Sequence, residues 1–294
     1  MPYQHITVEP STKAIGAEIS GIDLSNPLSP EIFKEIKTAL LEHLVIFFRD
    51  QDLSPERHIT FAGQFGKLSP PHPILPSLPG NEQISVFEND AERPAETNVW
   101  HSDVTFQTAP AMGSVLYCKD APPTGGDTMW SNMYLAYESI PAPLRQLVTS
   151  LSAVHSIETF GASQVFDSRV PEKMDQVRQS KPPVEHPIIR THPVSGKPAL
   201  FVNRTFTTDI VGIPKEHSAA ILELLYRAVE IPEHQVRMRW KKGTIAVWDN
   251  RCTQHYAVND YYPEYRRMHR LTIEGDVPFY RPIDESNHSH KDAH

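Results

Sequence analysis

VRMRWKKGTIAVWDNRCTQHYAVNDYYPEYRRMHRLTIEG, residues 236–275, carries three β-rich apolar runs in quick succession, VRMRW, TIAVW and HRLTIEG. The connecting residues hold lysine, glycine, asparagine and proline but no helical period, so the strands follow one another without crossover helices. Further runs read the same way upstream: ISVF (84–87), MGSVLYC (112–118), HPIIRT (186–191) and ALFV (199–202). Strands without regular βαβ alternation argue for an antiparallel sandwich or barrel, not a doubly wound parallel sheet. RMRWKK (237–242) is the densest basic run, and its alternation reads as a strand with one solvated face.

Helices flank this strand-rich centre. Ser29-Pro30-Glu31 offers a capping hydroxyl, a proline at the first helical position and an early acid, and Ile32, Phe33, Ile36, Leu40 and Leu41 recur at helical spacing, so 30–43 is an amphipathic helix. LVIFF (44–48) is too short for a helix and reads as a buried strand. Ser54-Pro55-Glu56 repeats the helix start, and Gly66 supplies a stop. Residues 67–83 are rich in proline and turn formers and suit a surface loop or lid, while 132–151 and 215–229 carry helical patterns.

The chain has 294 residues, a formal net charge of -8, and 39% hydrophobic and 22% charged residues, which suits a globular protein with a sizeable core and excludes wholesale disorder. Residues 1–280 read as one domain and 281–294 as a flexible polar tail, in which His288, His290 and His294 are solvated. No apolar stretch is long enough to span a membrane, the N-terminus lacks signal-peptide character, and lysine and arginine are nowhere concentrated enough for a nucleic-acid footprint. Cys118 and Cys252 lie far apart, so neither a disulfide framework nor a structural zinc site is expected, and a reducing cytoplasmic setting fits best.

Trp100-His101-Ser102-Asp103 is the most informative tetrapeptide. In an extended segment residues i and i+2 face the same side, so His101 and Asp103 offer an imidazole and a carboxylate to one point. A second imidazole, His255, follows in VWDNRCTQHY. Two histidines and one carboxylate on one face of a metal leave three positions open, the arrangement of non-haem Fe(II) oxygenases. Arg266 and Arg270 follow His255; antiparallel pairing past the loop would return an arginine beside the metal, with its fork ready for a second carboxylate.

The blocks IGAEISGIDL, VIFFRDQ, WHSDVTF, GGDTMW, HPIIRTHPVSGKPALFVN, VWDNRCTQHY and MHRLTIEGD resemble the taurine/2-oxoglutarate dioxygenase family, within the Fe(II)/2-oxoglutarate oxygenases, over nearly the whole chain. The resemblance implies a double-stranded β-helix, or jelly roll, with flanking helices. It implies Fe(II) held by His101, Asp103 and His255, with 2-oxoglutarate held by Thr128 and Arg266 and O2 as the third reactant. It places Arg270 and His72 at the substrate's anionic head and Phe160 and Phe206 around its organic part, with the Val104 backbone as a further contact. The implied reaction hydroxylates the carbon next to the sulfonate of taurine or a related alkylsulfonate, releasing sulfite and an aldehyde beside succinate and CO2. Homo-oligomers, dimeric or tetrameric, are also implied.

Two departures bear on the substrate. Leu75 stands where taurine enzymes carry a tyrosine, and Thr97 where they carry an asparagine; both family residues sit near the taurine amine. An apolar Leu75 suits a longer or less polar organic group, so an alkyl sulfate ester or an aryloxyalkanoate is the alternative substrate. Halogenation is disfavoured because Asp103 is present. A non-catalytic, metal-bound anion-binding protein on the same scaffold is the competing class, and it predicts bound ligand without turnover. Trp248, Asp249 and Asn250 are read as bracing the loop of the second histidine. His155, His186, His192 and His269 are read as structural.

Overall fold

Ser29 and Ser54 each accept a hydrogen bond from the backbone N–H three residues on, opening the helices Pro30–His43 and Pro55–Gly63. The computed structural model describes residues 3–72, 75–95, 99–158 and 171–282. The first helix ends at Leu44, whose left-handed φ of 66° turns the chain directly into the strand Val45–Phe48. The 132–151 pattern is two helices, Met133–Ser139 and Ala142–Val148, because Pro141 holds Ile140 extended and cannot continue the hydrogen-bond ladder. The 215–229 pattern forms Lys215–Val229 as expected.

The strands build a jelly roll with flanking helices. Its large sheet has eight strands, in the order 7–10, 17–20, 45–48, 245–249, 113–120, 266–273, 81–89 and 77–78. All its pairings are antiparallel except 17–20 with 45–48. A smaller sheet, ordered 235–238, 128–132 and 253–257, belongs to the other wall. HPIIRT divides at Ile188 into Val184–Pro187 and Ile189–Thr191, which join different sheets. The 67–83 segment includes the short edge strand Ser77–Leu78.

The central strands of the large sheet are buried on both faces, which is why LVIFF is a continuous apolar run instead of an alternating one. Phe47, Leu116, Trp248 and Met268 turn toward one core with Trp130 and Val236 of the small sheet. Ile46, Val115, Val247 and Leu271 turn the other way, onto Ile36, Leu40 and Phe61 of the first two helices. Arg266 and Arg270 alternate with Met268 and so share its inward face.

Gly125 and Gly126 make the turn that enters the small sheet, both at positive φ. A Cβ on Gly125 would stand 2.9 Å from the Asp260 carbonyl oxygen, and one on Gly126 would stand 3.2 Å from Arg266 Cδ, so side chains there would displace the wall beside Arg266.

Candidate metal centre and active site

His101 leaves the edge of the small sheet through a pair of backbone hydrogen bonds with His255, N–H to O in both directions at 3.0 and 2.8 Å. This bridge sets the two imidazoles with ring centroids 4.1 Å apart. Asp103 then starts a turn and brings Oδ1 to 3.9 Å from Nε2 of each histidine. One donor atom from each of the three residues lies within 4.8 Å of the others. His101 Nδ1 is 2.9 Å from the Val99 carbonyl, so it carries the proton and leaves the Nε2 lone pair facing the cluster.

Burial pushes His255 down to about 3, with His101 adding to the effect, and burial also lowers His101. Both imidazoles are thus neutral and able to donate to a metal. Burial alone would raise the Asp103 carboxyl, but Arg270, aided by the histidines and by Ser114, holds it well below the usual carboxylate range. Arg270 Nη1 donates to Oδ1 at 3.0 Å and Ser114 donates to Oδ2 at 3.1 Å. Two neutral nitrogens and an ionised carboxylate converging on one point, with a cavity on the open side, fit a divalent iron.

The cavity has a volume of about 450 Å³ and runs past the triad between the two sheets. At one end Arg266 and Thr128 line it. Trp240 Nε1 donates to Thr128 Oγ1 at 2.9 Å, so the threonine's own proton is directed elsewhere. Arg266 is 8% exposed and has no hydrogen-bond partner at Nε. Its guanidinium lies 5.7 Å from the Tyr261 ring centroid and 6.0 Å from that of Trp240. A buried guanidinium and a free hydroxyl proton form an anion site suited to the distal carboxylate of 2-oxoglutarate. The antiparallel return expected past His255 does not occur within one sheet: Thr253–Ala257 pairs in the small sheet and Arg266–Ile273 in the large one, so the arginine reaches the site across the roll.

Past the triad lie Arg270 and His72. The Leu75 N–H donates to His72 Nδ1 at 3.1 Å, which makes Nε2 the protonated nitrogen. Burial, then the neighbouring Arg270, pushes His72 down to about 4, so it is a neutral donor beside a cation. Leu75, Val104 and Phe206 line this cavity, joined by Phe106 and Ile157, which sequence reasoning missed. Phe106 lies within WHSDVTF, and its spacing two residues beyond Val104 was the available signal. Phe160 and Thr97 lie outside the described residues, as do His288, His290 and His294.

The histidines read as structural brace this machinery or fill the core. His155 bonds Thr105 Oγ1 at 2.9 Å and His186 reaches the Thr105 and Gln107 carbonyls, fixing the turn after Asp103. His192, Asp249 and Cys252 are a second buried cluster, but its donors are committed. Val194 and Ser195 donate to His192 Nδ1, which leaves Nε2 to donate to Asp249 at 3.0 Å, and Arg251 pairs with both Asp249 oxygens.

With the geometry in place, the taurine catabolism dioxygenase TauD, TfdA family model matches residues 7–272. The chain belongs to this family. A relative from Acinetobacter baylyi, an alkylsulfatase, is 40% identical over 283 residues, covering 94% of this chain and 87% of its own. An alpha-ketoglutarate-dependent sulfate ester dioxygenase from Pseudomonas putida is 39% identical over 278 residues, covering 93% and 91%. The crystal structure of a taurine dioxygenase from Burkholderia xenovorans superimposes with a TM-score of 0.80 at 36% identity, covering 94% and 93%. The protein is an Fe(II)- and 2-oxoglutarate-dependent dioxygenase of this family, using O2. No helix among the described residues is long and apolar enough to cross a membrane.

Proposed function

We propose that this dioxygenase oxidises the carbon bearing the sulfonate or sulfate-ester group of an alkyl substrate whose organic part is apolar. The observation that carries this reading is the polarity of the cavity beyond the triad. A cation, Arg270, and a neutral donor, His72, line the same cavity close enough for the charge to act on the imidazole, and Leu75, Val104, Phe106, Ile157 and Phe206 supply apolar wall. The acids in the described lining are both engaged, Asp103 with Arg270 and Glu88 with Arg93 and Tyr265, so an ammonium group finds no free partner there. A plain alkyl chain therefore suits the site better than the amine of taurine.

In this reading His101, Asp103 and His255 hold the iron, and Arg266 with Thr128 hold the distal carboxylate of 2-oxoglutarate. Iron, 2-oxoglutarate and O2 supply the oxidant for C–H hydroxylation, with succinate and CO2 as co-products. Arg270, His72 and the Val104 backbone fix the anionic head, so that the adjacent carbon faces the metal, and the apolar wall excludes water. Hydroxylation beside a sulfonate gives an unstable hydroxysulfonate, whose C–S bond breaks to leave aldehyde and sulfite. Hydroxylation at the carbon bearing a sulfate-ester oxygen gives a hemiacetal ester, whose C–O bond breaks to leave aldehyde and sulfate. The names of the alkylsulfatase and sulfate ester dioxygenase relatives favour the second product. A cytoplasmic homo-oligomer is the proposed working form; two buried free cysteines support the reducing compartment.

The test is an aerobic assay with Fe(II), ascorbate and 2-oxoglutarate across alkyl sulfates, alkylsulfonates, taurine and aryloxyacetates. Aldehyde formed in step with succinate and with sulfate or sulfite identifies the ester or sulfonate substrate. Phenol release from aryloxyacetates instead would move the substrate class, and absence of succinate with every substrate would leave a metal-bound anion-binding protein.

A further inference from the structure

Asn250 is 1% exposed and sits in the turn between the strands Ile245–Asp249 and Thr253–Ala257, five residues before His255. Its side chain does not face His255's loop alone. The Asp103 N–H donates to Asn250 Oδ1 at 2.7 Å, and Asn250 Nδ2 donates back to the Asp103 carbonyl at 3.0 Å. The second amide proton goes to the Ala111 carbonyl at 3.1 Å, and the Asn250 backbone N–H goes to Met112 at 2.9 Å. One side-chain amide thus takes the place of a neighbouring strand for a single residue, Asp103, at the point where the chain leaves its bridge and enters a turn.

The two bonded groups belong to different peptide planes. The Asp103 N–H lies in the 102–103 peptide and its C=O in the 103–104 peptide. Holding both planes fixes the backbone on either side of the Asp103 Cα, and with it the direction of the Cα–Cβ bond that carries the carboxylate. The same clamp orients the Val104 N–H: in a trans peptide it points opposite to the Asp103 carbonyl, hence away from Asn250, and Val104 lines the cavity. Val104 has φ of 50°, a conformation that a β-branched residue adopts only when its surroundings impose it.

We propose that Asn250 is the positioning residue of the site: its amide clamps the Asp103 backbone, aiming the carboxylate at the metal and the Val104 N–H at the substrate. This rests on the assignment of His101, Asp103 and His255 as the metal ligands. It differs from a brace for His255, whose own backbone is already held by the bridge to His101, while Ser102 Oγ holds the same strand by donating to the Thr253 carbonyl at 2.8 Å.

The experiment compares Asn250→Ala with Asn132→Ala. Asn132 is a similarly buried asparagine that caps a helix through Tyr134 and Leu135 and touches none of the three ligands. Mn(II) binding by electron paramagnetic resonance and the melting temperature of the metal-free protein are measured for each, with the ratio of succinate to aldehyde as a third readout. Both variants are expected to melt lower, but Asn250→Ala should weaken Mn(II) on the order of 10- to 100-fold and release succinate in excess of aldehyde. Asn132→Ala should keep its Mn(II) affinity within about twofold. Asn250→Ala binding Mn(II) as tightly as Asn132→Ala, with product still coupled, would overturn the proposal. If Asn250→Ala does not fold, Asn250→Asp, which keeps the shape and the acceptor but loses both donors, takes its place with the same expectations. Failure of the wild-type protein to bind Mn(II) would instead refute the ligand assignment on which the proposal rests.

Discussion

Arg266→Met should make the ligand-free protein more stable while removing its hold on 2-oxoglutarate. Arg266 is buried on the inward face of the strand Arg266–Ile273, its Nε lacks a partner, and burial lowers its affinity for its proton. Asp127, an acid acting on it from a distance, is engaged by Arg237 at 2.6 Å. A buried charge with no carboxylate of its own costs several kcal/mol, and the neighbouring Tyr261 and Trp240 return about 1 kcal/mol each. Methionine keeps most of the aliphatic packing without the charge, so a net gain of about 1 to 3 kcal/mol is expected once cavity water is allowed for. For 294 residues the unfolding entropy is about 0.6 kcal/mol/K, and the gain corresponds to a rise of about 2 to 5 °C in melting temperature. In the anaerobic Mn(II) form, 2-oxoglutarate at a hundred times its Kd should add about 2.7 kcal/mol to the wild type, about 4 °C, and nothing to the variant. Scanning calorimetry of both proteins with and without 2-oxoglutarate reads both effects. A lower melting temperature for ligand-free Arg266→Met, or an undiminished shift with 2-oxoglutarate, would refute the reasoning.

Trp240→Phe removes the N–H that engages Thr128 Oγ1 and lets that hydroxyl rotate away from its anion-facing orientation. A hydrogen bond worth about 1 kcal/mol predicts roughly fivefold weaker 2-oxoglutarate binding, and the difference should vanish in a Thr128→Val background; equal KM values in wild type and Trp240→Phe would remove Trp240 from the account. Burial pushes His58 down to about 3, with His269 adding to the effect, so the folded state refuses a proton that the unfolded chain accepts below about 6.5. Its contribution to stability is therefore complete above that pH and is lost as pH falls from about 6.5 toward about 3. Denaturant titrations at pH 7 and pH 5 should show about 2 kcal/mol less acid sensitivity in His58→Phe, and an unchanged pH dependence would show that His58 does not drive the loss.

Short-range chemistry made much of this protein legible in its sequence. Ser29-Pro30-Glu31 and Ser54-Pro55-Glu56 start helices because a hydroxyl and a proline satisfy the first turn locally, whatever the rest of the chain does. LVIFF and TIAVW form strands because β-rich apolar runs of that length have no better way to be buried. The donor set that the fold brings together, His101, Asp103 and His255, was likewise readable as a candidate, since the chemistry of an open iron face restricts the residue types.

Contacts that depend on long-range register were not. A buried run such as LVIFF gives no sign of which residue faces which core, because both faces are apolar; only the pairing with Ile245–Asp249 puts Phe47 inside the roll and Ile46 under the helices. Arg266 lies near His255 in sequence yet reaches the cavity from the opposite sheet. Phe106, Ile157 and Trp240 belong to the site through the closing of the roll, and Asn250 grips Asp103 across 147 residues of chain. Capping and strand formation are satisfied within a few residues, so sequence determines them; the carboxylate's aim and the shape of the substrate wall depend on distant backbones meeting, which only the folded chain decides.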